Sequence, residues 1–164
     1  MIYKDFKDFA ANIPPAGQLL GIDWGSKRMG FAVSDNRREF AFPRANFKNE
    51  DAINEIIEII ASEKIVGIVI GLPLREDGSG SKTVRTIKGF AKRVAKAVPI
   101  PIGYMNERYS SWEANERNPS AKLLDKHAAA IILQDALAMI KRLGSPDIAW
   151  TRVPRAADDS GDGT

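Results

Sequence analysis

From residue 18 onward, the chain contains three short runs of apolar residues whose length and spacing predict strands. Apolar segments of strand length occur at Gln18–Trp24, Gly30–Ser34 and Phe40–Phe47, with short polar turns between them. Such closely spaced runs predict an antiparallel meander of three strands. Pro43 lacks a backbone N–H, so the third strand is expected at an edge or with a bulge.

The hydrophobic period then changes. Apolar residues recur at helical spacing over Glu50–Lys64, Lys82–Val98 and Ala121–Leu143. The segment between the first two, Ile65–Ile70, is apolar on both faces, as a central strand covered by helices would be. A last strand is expected at residues 99–105. Together these elements predict an α/β fold, with a mixed five-stranded sheet flanked by helices.

Local signals predict the boundaries of these elements. Asn49 and Ser81 are expected to be N-caps, and a short helix or turn is expected at Ser110–Asn118. Residues 1–17 form an N-terminal extension that ends at a Pro-Pro pair, residues 18–150 form one domain, and residues 151–164 are expected to be a disordered polar tail.

Composition narrows the possible chemistry. The 164 residues contain no cysteine and a single histidine, His127, which excludes disulfides, thiolate zinc sites, cysteine nucleophiles and multi-histidine metal sites. A metal site must therefore use oxygen ligands, which favour hard ions such as Mg²⁺, Mn²⁺ or Ca²⁺. The net charge of +3 permits a nucleic-acid partner without establishing one. No apolar run is long enough for a membrane helix, and a cytoplasmic protein is expected.

Three carboxylates lie near the ends of predicted elements. Asp23 ends the first apolar strand, Glu107 follows the last strand, and Asp125 lies on the small apolar face of the final helix. An acid in an apolar setting is costly unless a partner or a metal compensates it. Taken singly, each also fits a structural role: a turn aspartate, a surface Glu–Arg pair and a helix cap.

Taken together, the three acids support a catalytic interpretation. If the fold gathers them, their charges repel until a divalent cation neutralises them. A pair of Mg²⁺ or Mn²⁺ ions can activate water and stabilise the leaving oxygen of a phosphodiester. This chemistry needs neither cysteine nor histidine.

Four ordered blocks carry a resemblance to a known family: LLGIDWGSKRMGFAVSD, IVIGLPLREDGSG, NERYSSWEA and LLDKHAAAIILQDAL. Over residues 18–143 the chain resembles the YqgF-like proteins, bacterial RNase H-fold proteins described as Holliday-junction resolvases and pre-16S rRNA nucleases. The resemblance implies an RNase H-like sheet, Mg²⁺ or Mn²⁺ dependence and a cytoplasmic setting. It also implies that Asp23, Glu107 and Asp125 are the metal-binding catalytic acids.

One departure bears on activity. The Asp-Glu-Arg motif of the family is Asn106-Glu107-Arg108 here. An asparagine offers a carbonyl oxygen but no charge. If the family aspartate is a ligand or a base, activity is in doubt, whereas if it only orients its neighbour, Asn106 can replace it.

Basic residues near these acids are candidates for contacts with nucleic acid. They are Lys27 and Arg28 after Asp23, Arg75 in the Gly-rich loop, Arg108 beside Glu107, and Lys82 and Arg85 on the helix at Lys82–Val98. That helix contains no acid, so its basic face is unpaired within the helix. Arginine and lysine beside a metal site can position a phosphate backbone without reading sequence. A solvated surface is the alternative interpretation of the basic face.

These observations predict a metal-dependent nuclease acting on structured nucleic acid, most readily in 5′-end maturation of pre-16S rRNA. Holliday-junction resolution is the alternative, and cleavage of two strands would call for a homodimer. A non-catalytic nucleic-acid-binding module also fits, because of Asn106. A nucleotide phosphotransferase is disfavoured, since the chain is short for that two-domain architecture.

Overall fold

The fold is known from a computed structural model, which describes residues 1–73, 82–106 and 125–144. The expected Ser81 cap, the expected helix or turn at Ser110–Asn118 and the expected tail at 151–164 lie outside these ranges.

A mixed sheet forms the centre of the molecule. Its strands are β1 (Ile2–Tyr3), β2 (Gln18–Asp23), β3 (Arg28–Ser34), β4 (Ala41–Lys48), β5 (Ile65–Leu72) and β6 (Ile102–Asn106). The order across the sheet is β1-β6-β5-β2-β3-β4. The pairs β2–β3 and β3–β4 are antiparallel, whereas β2–β5, β5–β6 and β1–β6 are parallel.

Four α-helices accompany the sheet in the described ranges: α1 (Phe6–Ala11), α2 (Ala52–Ser62), α3 (Lys82–Ala97) and α4 (Asp125–Leu143). Helices α2 and α3 pack on one face, and α1 and α4 pack on the other. The meander followed by alternating helices and strands confirms the predicted α/β, RNase H-like fold class.

The prediction of five strands was wrong by one. Met1 O accepts a hydrogen bond from Ile102 N at 2.8 Å, and the two-residue strand β1 pairs with β6. Two residues are too few to show the alternation that identifies a strand. The N-terminal segment is then fastened by Phe9, which is completely buried against Gly103.

The prediction of Asn49 as N-cap of the following helix was also wrong. Residues Asn49–Asp51 form a 3₁₀ turn, and α2 begins after Asp51. The Asn49 side chain instead donates from Nδ2 to Gly25 O at 2.8 Å. It therefore ties the β2–β3 turn to the start of the 3₁₀ turn.

Helix α4 approaches the sheet most closely at Gly21. A Cβ atom added there would lie 2.8 Å from Leu133 Cβ and 3.2 Å from Ala129 O. The buried side chains on this face of α4 include Ala129 and Ala136, whose small size permits the same approach. Contact with the sheet thus depends on the absence of a side chain at position 21.

We expect Gly21→Ala to lower the free energy of unfolding by about 1–3 kcal/mol, because the added methyl group overpacks the contact with α4. Urea denaturation would measure the change. Gly89→Ala is the matched control, since a Cβ there meets no atom within 4 Å and alanine favours a helix by about 0.5–1 kcal/mol over glycine. Equal effects of the two substitutions would contradict the close approach at Gly21.

Candidate active site

Three parallel strands end at the same edge of the sheet. Ile22 is in register with Ile70, and Leu72 is in register with Asn106. Asp23 is the last residue of β2, so it lies at the edge where β5 and β6 also end. The carboxyl ends of parallel strands are the usual place for a site in a sheet of this kind.

The half-buried residue Asp23 belongs to the face of the sheet that α4 covers. Side chains alternate along a strand, and Gly21, two residues earlier, lies beneath Leu133 of α4. The neighbouring Trp24 packs against the core cluster on the opposite face. Its bulk is therefore directed away from the face of Asp23.

The first turn of α4 lies over this end of β2. Helix α4 runs antiparallel to β2, since Ala129 contacts Gly21 while Ile140 lines a cavity with Ile13, which precedes β2. Asp125 begins α4 about 6 Å before Ala129 along the helix axis. Asp23 lies about 7 Å beyond Gly21 along the strand, so the backbone brings these two positions to the same edge.

The remaining predicted ligand lies outside the described ranges. Glu107 directly follows Asn106, the last residue of β6, and the side chain of Asp125 is likewise not described. Arg75 and Arg108 also fall outside. Among the residues that the structure does describe, no group of three or more acids and histidines could bind a metal ion.

Exposed cations lie beside Asp23 on the side of β3 and β4. Lys27 lies in the turn after Asp23, and Arg28 begins β3. Lys48 pairs directly with Arg28 across β3 and β4 and is also exposed. Sequence analysis missed Lys48, because its position follows from the strand register. None of these three cations forms a salt bridge with another described residue.

Helix α3 presents a second basic surface. Its cations are exposed: Lys82, Arg85, Lys88, Lys92, Arg93 and Lys96. Its apolar residues pack on the sheet, among them the buried Val84, Ile87 and Val94. These six cations are called the α3 stripe below, and they extend about 21 Å along the helix axis.

The α3 stripe starts at the edge that contains Asp23. Helix α3 connects the parallel strands β5 and β6, so its N-terminus faces the edge where β5 ends. Lys88 Nζ lies 5.9 Å from the ring centroid of Tyr104, near the end of β6. Burial raises the pKa of the Tyr104 phenol, so this ring stays neutral beneath the ammonium group at physiological pH.

A family model described as RuvX, Holliday junction resolvase, matches residues 17–139. The chain belongs to this family. The resemblance to the YqgF-like proteins and the predicted nuclease class are thereby confirmed.

Curated relatives match along nearly their whole length. A protein of Rhodobacter capsulatus named "Putative pre-16S rRNA nuclease" is 36% identical over 155 residues, which cover 88% of this chain and 98% of the relative. One of Maridesulfovibrio salexigens with the same name is 41% identical over 132 residues, covering 74% and 98%. A structure titled "T. thermophilus RuvC in complex with Holliday junction substrate" is 12% identical, with a TM-score of 0.49, covering 78% of this chain and 96% of that one.

In the described ranges, no helix combines the length and the apolar character that crossing a bilayer requires.

Proposed function

We propose that this protein is a metal-dependent nuclease that hydrolyses phosphodiester bonds in structured nucleic acid, with pre-16S rRNA as the favoured substrate. One observation carries the proposal. By their spacing from the contact at Gly21, the first residue of α4 and the last residue of β2 lie toward one edge of the sheet, and both are aspartates. The names of the curated relatives favour a ribosomal RNA precursor over branched DNA.

The donor set of this edge fits Mg²⁺ or Mn²⁺. Asp23, Glu107 and Asp125 are the residues that would bind the ion, and all three offer the hard oxygen ligands that these cations prefer. Asp23 is half-buried and pairs with Gly30, which has no side chain to hinder approach to the carboxylate from the β3 side. The bound ion would supply activation of water and stabilisation of the leaving oxygen.

Residues of the chain itself would position the substrate. Lys27, Arg28 and Lys48 form an exposed cationic border on one side of Asp23. Such residues bind phosphate oxygens without reading sequence. Arg75 and Arg108 are proposed for the same role. The α3 stripe offers a longer track for a duplex arm that leaves the site.

The alternation of side chains between the two faces of β6 supports activity despite Asn106. Asn106 continues the row of Ile102 and Tyr104, which faces the α3 side, whereas Asp23 belongs to the α4 side. Position 106, where asparagine replaces the family aspartate, therefore faces the opposite side of the sheet from Asp23. A fully non-catalytic binding module is accordingly less favoured.

Asp23→Asn is expected to reduce Mn²⁺-dependent cleavage by more than about 100-fold, because loss of a ligand should exceed the 10–100-fold effect typical of residues that only support ligands. Without metal, the melting temperature should be unchanged or raised, since one of several mutually repelling charges is removed. Cleavage would be measured on pre-16S rRNA and on a four-way DNA junction.

Asp135→Asn is the matched control, because Asp135 is exposed on α4. Retention of full cleavage by Asp23→Asn would overturn the proposed role of this carboxylate. Cleavage of the junction alone would replace ribosomal RNA with branched DNA as the substrate.

The double substitution Lys82→Gln/Arg85→Gln should weaken binding of structured RNA and lower the salt dependence of binding. Each phosphate contact contributes about 0.9 to the slope of log K against log salt on a duplex, so the loss of two contacts should reduce the slope by nearly 2. Fluorescence anisotropy at several salt concentrations would measure this.

Lys141→Gln/Arg142→Gln removes the same charge from the C-terminal turn of α4 and is the control. If both double variants change the slope equally, the α3 stripe acts only through net charge and is not a binding track.

A further inference from the structure

Two buried amide oxygens lack a hydrogen-bond partner among the described residues: Asn46 Oδ1 and Asn49 Oδ1. Buried polar atoms in proteins are nearly always paired, so an unpaired one calls for an explanation such as a bound ion or a catalytic role. The Asn49 side chain still donates to Gly25 O. For Asn46, no hydrogen bond of the side chain to another described residue is recorded.

Asn46 lies in a transverse row with the proposed metal ligand. In the antiparallel part of the sheet, Asp23 pairs with Gly30, and Gly30 pairs with Asn46. Residues that pair directly project from the same face of a sheet. Asn46 therefore projects from the same face as Asp23, the face covered by α4.

The residue between them has no side chain. Two strand spacings separate the Cα atoms of Asp23 and Asn46 by about 10 Å, and strand side chains stand roughly perpendicular to the sheet. The gap between their oxygens is therefore wider than the ~4 Å across one Mg²⁺ between two ligands. A cation and one of its waters, with a hydrogen bond of about 2.8 Å to Asn46, span about 7 Å, so the two side chains would lean toward each other above Gly30 to hold them.

We propose that Asn46 is a positioning residue of this site: its Oδ1 accepts a hydrogen bond from a water molecule of the hydrated cation bound by Asp23. This inference rests on the proposed function. It assigns a partner to a buried oxygen that has none among the residues that the structure describes. An amide suits this role because it accepts a hydrogen bond while adding no negative charge to a site that already contains acids.

Asn46→Leu tests the proposal, because leucine is of similar size and lacks the acceptor. We expect Mn²⁺ affinity, measured by titration calorimetry, to fall by about 10-fold or more, in the range typical of groups that support metal ligands. The melting temperature in EDTA should be unchanged or raised, since an unpaired buried oxygen is removed. A merely structural asparagine would show the opposite pattern, with lower stability and unaltered affinity.

Companion variants keep the test decisive. Asn46→Asp retains an acceptor at the same place and should keep Mn²⁺ affinity within a few-fold of the wild type. Asn46→Ala gives the same readout if leucine disturbs β4. Asn54→Leu, at an exposed position of α2, is the control and should change neither quantity.

The outcomes separate this inference from the proposed function. Mn²⁺ binding by the wild type that is lost in Asp23→Asn but unchanged in Asn46→Leu and Asn46→Ala would overturn the role of Asn46 and leave the metal site standing. Failure of the wild type to bind Mn²⁺ would overturn the metal site, and the role of Asn46 with it.

Discussion

The contact between α4 and Gly21 determines where Asp125 lies along the sheet relative to Asp23. A Cβ at residue 21 would lie 2.8 Å from Leu133 Cβ, so any side chain there would force α4 to shift away from the sheet. Because a helix is rigid along its axis, this single contact sets the position of its first turn relative to the sheet. Asp125 and Asp23 reach the same edge as a consequence. In the proposed site, a packing constraint therefore brings the backbone positions of these two aspartates to one edge before any electrostatic attraction acts.

The two faces of the sheet carry different parts of the proposed function. The α4 face contains Asp23 and Asn46 and has a buried apolar core between the sheet and α4, which suits a partly dehydrated site for a small ion. The α3 face has a large apolar core beneath the exposed α3 stripe, which suits a long polyanion. Both faces converge at the carboxyl edge, where Lys88 covers Tyr104. A bound nucleic acid could therefore contact both surfaces at that edge.

Elements with a clear hydrophobic period were predictable from the sequence. The span predicted for the basic helix, Lys82–Val98, differs from α3 by one residue. Asp23 was found because an acid is conspicuous at the end of an apolar strand. In contrast, β1 could not be predicted, because its two residues gain their structure from pairing with β6, which lies about a hundred residues away.

Asn46 could not be identified from sequence for a different reason. The pairing of β3 with β4 shifts between Phe31 and Ala32, so that Pro43 and Ala45 face consecutive residues and Arg44 is extra. An irregularity of this kind reverses which residues of the later strand face each side of the sheet. No local pattern reveals its position. The same shift brings Lys48 opposite Arg28, which explains why Lys48 was missed as well as Asn46.

Gly21 and Gly30 lie on the same face of neighbouring strands, yet the structure uses their missing side chains differently. The space above Gly21 is filled by Leu133 and the backbone of α4. Gly30 lies two pairs further toward the carboxyl edge of β2, between Asp23 and Asn46. Because Gly30 has no side chain, no Cβ stands between the side chains of Asp23 and Asn46. If a cation binds at Asp23, the first glycine fixes the height of the helix above the site, and the second leaves room for the hydrated ion beside the carboxylate. Substitution at either glycine should therefore impair metal binding, but only substitution at Gly21 should do so by moving α4.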